Sequence, residues 1–182
     1  MGIFSKLKGK SKGEDNNEIY RRIFSAICED DPAVMEELEQ CIENVKGYAN
    51  RNEEYAGDMN ISTSPEFALK WKVCGELLAD RGYICKIDDS VNFDDFYEKF
   101  SRLPNVSASG ILPPADEIYL DYDVSSWLKC IDNKWSRIGM CIGGLEMKDD
   151  SYYLFVSARA GLDNLIKLAD KVGRVIKRST EL

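Results

Sequence analysis

The sequence of 182 residues contains no histidine. This absence excludes a Ser-His-Asp or Cys-His catalytic centre, a His-ligated zinc site and a pH switch based on imidazole. The sequence also lacks any apolar run near the roughly 20 residues that a membrane-spanning helix needs. Apolar residues nevertheless make up 44% of the chain, which is enough for a folded core. We therefore expect a soluble globular protein, in which any catalytic chemistry would depend on carboxylate or thiol side chains.

The six cysteines show no C-x-x-C spacing. Several of them fall on apolar stripes, so we interpret them as buried thiols; they are Cys28, Cys41, Cys74, Cys85, Cys130 and Cys141. The N-terminus carries lysines but lacks the apolar region of a secretory signal. Free thiols without a secretory signal indicate a reducing compartment, so the expected location is the cytoplasm.

The charge of the chain is distributed unevenly. Its 24 basic and 32 acidic residues give a net charge of −8, yet residues 1–12 carry +4 and residues 13–166 carry −15. An acidic body repels phosphate backbones, which argues against nucleic-acid binding through the main domain. The same charge would steer a basic protein partner toward the chain.

The N-terminal half is predicted to be helical. Residues 1–17 are rich in Lys, Gly and Ser and are predicted to form a mobile basic tail, followed by a single domain over residues 18–182. Apolar spacing predicts a helical hairpin that turns at Asp31 and Pro32, where an N-cap and a first-turn proline stand together. A third helix is predicted between Pro65 and Gly82. Residues 18–82 would then form the helical part of the domain.

Strands and helices alternate in the rest of the domain, residues 83–178. The patterns predict a strand at 83–88 and a helix at 93–103, then a strand at 117–122, a helix at 124–131, strands at 138–142 and 152–156, a helix at 162–173 and a strand at 174–177. From Glu117 onward this is the βαββαβ order of ferredoxin-like domains. We therefore predict an α+β fold with a mixed or antiparallel sheet, preceded by an extra strand-helix unit.

Two segments resemble a known family. They are Ile84 to Asp88 with the helix through Leu103, and Gly144 to Val175 with its Asp150-Ser151-Tyr152 strand. Both are similar to a bacterial domain family of unknown function, in which such a strand leads into an acidic-apolar helix and a glycine-ended C-terminus. The resemblance implies a shared fold and no particular activity. Small acidic α+β proteins of this kind also look like immunity proteins of bacterial toxin systems, which implies a protein partner.

The candidate binding site is a set of acids and tyrosines. Strand alternation would place Glu117, Asp121 and Asp123 on one face, and an outward tyrosine beside acids is typical of protein interfaces. We predict a non-enzymatic module without a cofactor, which binds a basic protein through Glu117, Tyr119, Asp121, Asp123 and Tyr152.

Two alternatives remain open. Asp88, Asp121 and Asp123 could hold Mg²⁺ or Mn²⁺ for phosphoryl hydrolysis, although the sequence has no GxxxxGK[ST] or GxGxxG element to hold a phosphate. The lysine-rich N-terminus could instead tether the protein to a membrane surface, against the simpler interpretation of a frayed terminus.

Overall fold

The computed structural model describes residues 15–118 and 123–182. In these ranges the chain forms eight α-helices and four β-strands, joined by short 3₁₀ turns at Glu53–Ala56, Ala115–Glu117, Ser136–Ile138 and Ser179–Glu181. In chain order the elements are α1 (Asn16–Ile27), α2 (Pro32–Glu43), α3 (Val45–Ala49), α4 (Glu66–Asp80), β1 (Cys85–Asp88), α5 (Phe93–Ser101), α6 (Pro104–Ser109), α7 (Val124–Trp135), β2 (Met140–Leu145), β3 (Ser151–Ala158), α8 (Arg159–Lys171) and β4 (Ile176–Arg178).

Local capping signals start several of these helices where the sequence predicts them. The Asp31 side chain accepts a hydrogen bond from the Ala33 amide at 2.9 Å, and Pro32 occupies the first turn of α2. Helix α1 begins at Asn16 with Asp15 as its N-cap, so the end of the segment predicted as a mobile tail is helical. The rest of that segment, residues 1–14, lies outside the described residues.

The sheet is antiparallel throughout, with the strand order β1-β3-β2-β4. The α+β class is therefore confirmed, but the ferredoxin-like arrangement is not. In that arrangement the last strand lies beside the first, whereas here β4 pairs with β2 on the far side of the sheet. The first strand of the sheet is Cys85–Asp88, which the sequence placed in an additional unit.

The strand predicted at 117–122 is not found at the two of its positions that the structure describes. Glu117 ends a 3₁₀ turn and Ile118 continues that turn as a buried residue. Residues 119–122 lie outside the described part of the chain. The turn follows Pro113 and Pro114, and a proline favours turns because its ring fixes φ and removes a backbone donor. One buried isoleucine in a turn can mimic the start of an alternating pattern.

Helices cover both faces of the sheet and create two cores. On β3, Tyr153 and Phe155 point into the first core, while Leu154 and Val156 point into the second. The first core is closed by α1 to α4 and α8, and the second by α5 to α7. No helix in the described ranges has the length and hydrophobicity that a membrane crossing requires.

Candidate functional site

A cleft of about 490 Å³, here called the hairpin cleft, opens at one end of the sheet. It lies where β2 turns into β3 and is lined by residues 145–153, which are the connecting loop and the adjoining ends of both strands, together with Asp89, Lys177 and Leu182. The loop is tight, because Lys148 adopts a left-handed backbone with φ of 62°. Asp149 stabilises the turn by accepting a hydrogen bond from the Ser151 amide at 3.2 Å.

Helix α4 holds this loop in place through a glycine and a tryptophan. A Cβ atom on Gly75 would lie 1.9 Å from Cε of Met147, so a larger residue at this position would force the end of the Met147 side chain to move away from α4. One turn earlier, Nε1 of the buried Trp71 donates a hydrogen bond to the Glu146 carbonyl at 3.1 Å. The cleft therefore has a wall that is anchored to the first core.

A group of five polar side chains lies beside the cleft, and two of them, Asp149 and Tyr153, line it. We call this group the Tyr153 network; it consists of Lys72, Glu76, Lys86, Asp149 and Tyr153. The buried Tyr153 hydroxyl lies 2.6 Å from Oε1 of Glu76 and accepts a hydrogen bond from Nζ of Lys72 at 2.9 Å. Two lysines and two carboxylates balance one another, which keeps a half-buried charged cluster stable.

Ion pairs complete the network. Lys72 bridges Asp149 and Glu76, and Lys86 donates to Glu76 at 2.8 Å from the edge strand β1. Both ammonium groups also lie about 5 Å from the centre of the Tyr153 ring, within cation-π range. One tyrosine thus connects α4, β1 and the hairpin loop.

The environment shifts the pKa values of these groups in opposite directions. Burial would raise the pKa of Glu76, but hydrogen bonds from Lys86, Tyr153 and Lys72 hold it below its ordinary value. Burial likewise would raise the pKa of Asp149, and Lys72 outweighs it. The pKa of Tyr153 is raised by burial and by the Glu76 carboxylate. At neutral pH the carboxylates are charged and the phenol is neutral, so complementary charges and hydrogen bonds hold the cluster together.

The outer margin of the cleft carries two unengaged acids. Within the described residues, the exposed Asp89 and Asp150 make no hydrogen bond or ion pair. By contrast, Glu146 pairs with Lys177 at 2.9 Å, and Asp88 accepts a hydrogen bond from the Ser151 hydroxyl at 3.2 Å. Asp89 and Asp150 are therefore the carboxylates of this margin that are open to a ligand.

A family model for a domain of unknown function, DUF6630, matches residues 19–179, a range that contains the buried residues of both cores and all of the hairpin cleft except Leu182. The chain belongs to this family. Comparison with curated proteins and comparison with solved structures both give no match.

The predicted binding residues of this DUF6630 chain lie in different places. Tyr152 lines the hairpin cleft and packs against the second core. Glu117 lies on the 3₁₀ turn before α7 and accepts a hydrogen bond from Nζ of Lys134 at 2.7 Å. Asp123 is the N-cap of α7 and accepts from the Ser126 amide at 2.9 Å. Neither Glu117 nor Asp123 lines the cleft, and Tyr119 and Asp121 lie outside the described residues.

The alternative metal site is not assembled in the described part of the DUF6630 chain. No three His, Cys, Asp or Glu side chains there are placed so that they could hold a metal ion. Asp88 lies at the end of β1 beside Ser151, Asp123 is engaged as a helix cap, and Asp121 falls in the undescribed segment.

Sequence reasoning missed the acids of the cleft in this DUF6630 domain. The binding acids are instead predicted at Glu117, Asp121 and Asp123. The adjacent pair Asp149-Asp150 was a visible signal, since one acid can face the fold while its neighbour faces solvent. The spacing of Lys72 and Glu76, four residues apart on a helix, was a second signal. Nothing in the sequence indicated that these two segments meet.

Proposed function

We propose that this DUF6630 domain is a non-enzymatic binding module whose hairpin cleft receives a basic segment of a protein partner. The observation that supports this function is the pair of unengaged carboxylates, Asp89 and Asp150, at the mouth of the cleft. Together with the acidic body of the chain, they would steer a positively charged partner toward the cleft and speed its association.

The wall of the cleft suits an interface as well. Tyr152 is half-buried and presents an aromatic ring beside the acids, and an aromatic anchor with a polar rim is the usual composition of a binding hot spot. The Tyr153 network and the contact of Met147 with α4 fix the loop before binding. Ordering the loop therefore costs little free energy when a partner binds.

A narrower form of this proposal is an immunity function, in which the partner is a toxin and binding covers its basic surface. The charge of −15 over residues 13–166 supports it, because basic toxin surfaces need an acidic complement. Association would be fast at low salt and slower at high salt.

The test uses hexa-arginine as a defined basic probe, with binding measured by isothermal titration and by amide chemical-shift changes. We expect the probe to perturb amides of residues 145–153. The double variant Asp89→Lys with Asp150→Lys should weaken binding about tenfold or more, because attraction becomes repulsion at the mouth of the cleft. Raising the salt concentration should weaken binding to the original protein.

The matched control is Glu53→Lys with Glu54→Lys. These acids are exposed on a 3₁₀ turn that does not line the cleft, and the substitution changes the net charge by the same amount. Equal weakening by both double variants would mean that the probe senses only overall charge, and the cleft would lose its proposed role. A further variant, Glu117→Lys with Asp123→Asn, tests the surface predicted from the sequence in the same assay.

A further inference from the structure

Two buried cysteines in the first core face each other across a helix pair. The Sγ atoms of Cys41 on α2 and Cys74 on α4 lie 3.1 Å apart, and both side chains are fully buried. We infer that Cys41 and Cys74 are a disulfide-forming pair that joins α2 to α4 under oxidising conditions.

The other cysteines have different neighbours. Cys28 faces the thioether of Met35 at 3.8 Å, while Cys130 and Cys141 face the backbone carbonyls of Glu117 and Ser157. All six cysteines lie in the described ranges, and among them only Cys41 and Cys74 place one thiol against another. These two sulfurs need to approach by only about 1 Å to reach the disulfide bond length of about 2.05 Å. Oxidation should therefore select this pair.

The pair is protected once the chain is folded. Burial raises the pKa of the Cys74 thiol, and the attacking species in disulfide exchange is the thiolate. A bulky disulfide reagent also has no access to fully buried sulfurs. The bond should therefore form while the chain is folding or opened, and then persist in the closed core.

Glutathione disulfide is a sufficient oxidant. The Cys41 thiolate attacks one of its sulfurs, forming a mixed disulfide and releasing one glutathione thiolate. The Cys74 thiolate then attacks the Cys41 sulfur, forming the protein disulfide and releasing the second glutathione thiolate. The protons of the two cysteines end on the two glutathione molecules. The protein loses two electrons and glutathione disulfide gains them.

The bond would tie down the helix that supports the cleft. Cys74 lies on α4 between Lys72 and Glu76 of the Tyr153 network, and the closed loop has a sequence separation of 33 residues. Closing such a loop removes conformational entropy from the unfolded chain. We expect the oxidised protein to melt roughly 10 °C higher than the reduced protein, which is the rise that a loop of this length gives in a chain of this size.

The experiment is refolding from urea in glutathione buffers of increasing oxidised fraction, because the open chain gives every thiol equal access to the oxidant. Alkylation and mass measurement should show two protected thiols, and tryptic peptides containing Cys41 and Cys74 should be joined. The tryptic peptide of Cys41 also contains Cys28, so Cys28→Ala is the control that resolves the assignment and should leave the bond intact.

Cys41→Ala and Cys74→Ala should each abolish the cross-link and the rise in melting temperature. Mapping in the original protein decides the question even if a variant folds poorly. Six free thiols at a large excess of glutathione disulfide would overturn the inference. So would scrambled pairing among the six cysteines, or an oxidised form that melts below the reduced one.

Discussion

The two faces of the sheet bury side chains in different ways. The first core combines helices from both ends of the chain with four of the cysteines, and it ends in the charged Tyr153 network. The second core draws on a continuous stretch of α5 to α7 and is dominated by aromatic rings, namely Phe93, Phe96, Phe100, Trp127 and Trp135.

The two faces differ in how some of their polar side chains are held. At the second core, Trp135 Nε1 donates to the Ile111 carbonyl at 2.8 Å and Asp132 accepts from the Ile142 amide at 3.0 Å, so both bond to the backbone. On the first face, side chains from distant segments bond to one another around Tyr153. Backbone partners fix a scaffold, while a side-chain network responds to pH and substitution. The candidate site accordingly lies where the network is.

The largest expected effect comes from a matched pair of core truncations. Phe24 in the first core and Phe96 in the second are both fully buried. Phe24→Ala and Phe96→Ala should each lower the free energy of unfolding by about 3–5 kcal/mol. Urea titration followed by fluorescence and circular dichroism should give one shared transition for each variant. Two separated transitions would show that the two faces unfold independently.

The Tyr153 network should give the next largest effect. Glu76→Gln removes the carboxylate shared by Lys72, Lys86 and Tyr153 and should cost about 2 kcal/mol, less than a fully buried pair because Glu76 is only half-buried. Glu98→Gln, on the exposed pair with Arg102, is the control and should stay within about 0.5 kcal/mol. An equal loss in both variants would contradict a special role for the network.

The same network predicts a pH dependence. Glu76 and Asp149 have folded-state pKa values below their ordinary values of 4.5 and 3.8. Their stabilisation is therefore present above those ordinary values and is lost as the pH falls through the lowered ones. Urea titrations at a series of acidic pH values should show a steep loss in the original protein and a shallower loss in Glu76→Gln. A loss of equal steepness would remove Glu76 from the effect.

Alanine substitutions at two neighbouring glycines of β2 would each add a single methyl group to one face of the sheet, and so test how tightly that face is packed. A Cβ on Gly143 would lie 2.5 Å from Cζ of Phe155 and 2.8 Å from Cδ1 of Leu162, in the first core. Gly143→Ala should cost about 1–3 kcal/mol, because ring and helix must both move. At Gly144 the nearest atoms belong to the Leu182 side chain, so Gly144→Ala should cost less. Thermal melts of the two variants decide the order.

Substitutions of the helix caps should give the smallest difference in melting temperature between the two faces. Asp31 caps α2 on the first face and also accepts a hydrogen bond from the Tyr83 hydroxyl at 2.6 Å, whereas Asp123 caps α7 on the second. Asp31→Ala should lower the melting temperature more than Asp123→Ala, because it breaks a tertiary contact as well as a cap. A larger effect at Asp123 would indicate a role for this residue beyond capping.

Local signals accounted for much of the fold. Asp31-Pro32 marked the start of α2, alternation marked β2 and a near-continuous apolar run marked β3, because such signals act over a few residues. The alternation predicted β2 only as far as residue 142, while the strand continues through Gly143 and Gly144 to Leu145. Both glycines belong there because Phe155 and Leu182 fill the space beside them, which is information from distant residues.

Predicting the candidate site would have required knowledge of contacts between distant residues even more than predicting the fold did. Glu76 and Tyr153 are 77 residues apart in sequence and 2.6 Å apart in space. No sequence motif links the two residues. Tyr152 was predicted as a binding residue from its neighbouring tyrosine, because adjacent strand residues point to opposite faces. The structure bears out that geometry for Tyr152 and Tyr153, with helices on both sides.

The strand order also sets the order in which the sheet can assemble. Strands β2 and β3 are joined by one short loop and form the centre of the sheet. Their pairing therefore closes only a short loop and costs little conformational entropy. The edge strand β1 reaches β3 across a separation of 63 residues between Asp88 and Ser151. Loop-closure entropy therefore favours early formation of the central hairpin and late arrival of β1. We expect high φ-values in the hairpin and low ones in β1. The loop of the cleft would then form in the folding nucleus, before Lys86 of β1 completes the Tyr153 network.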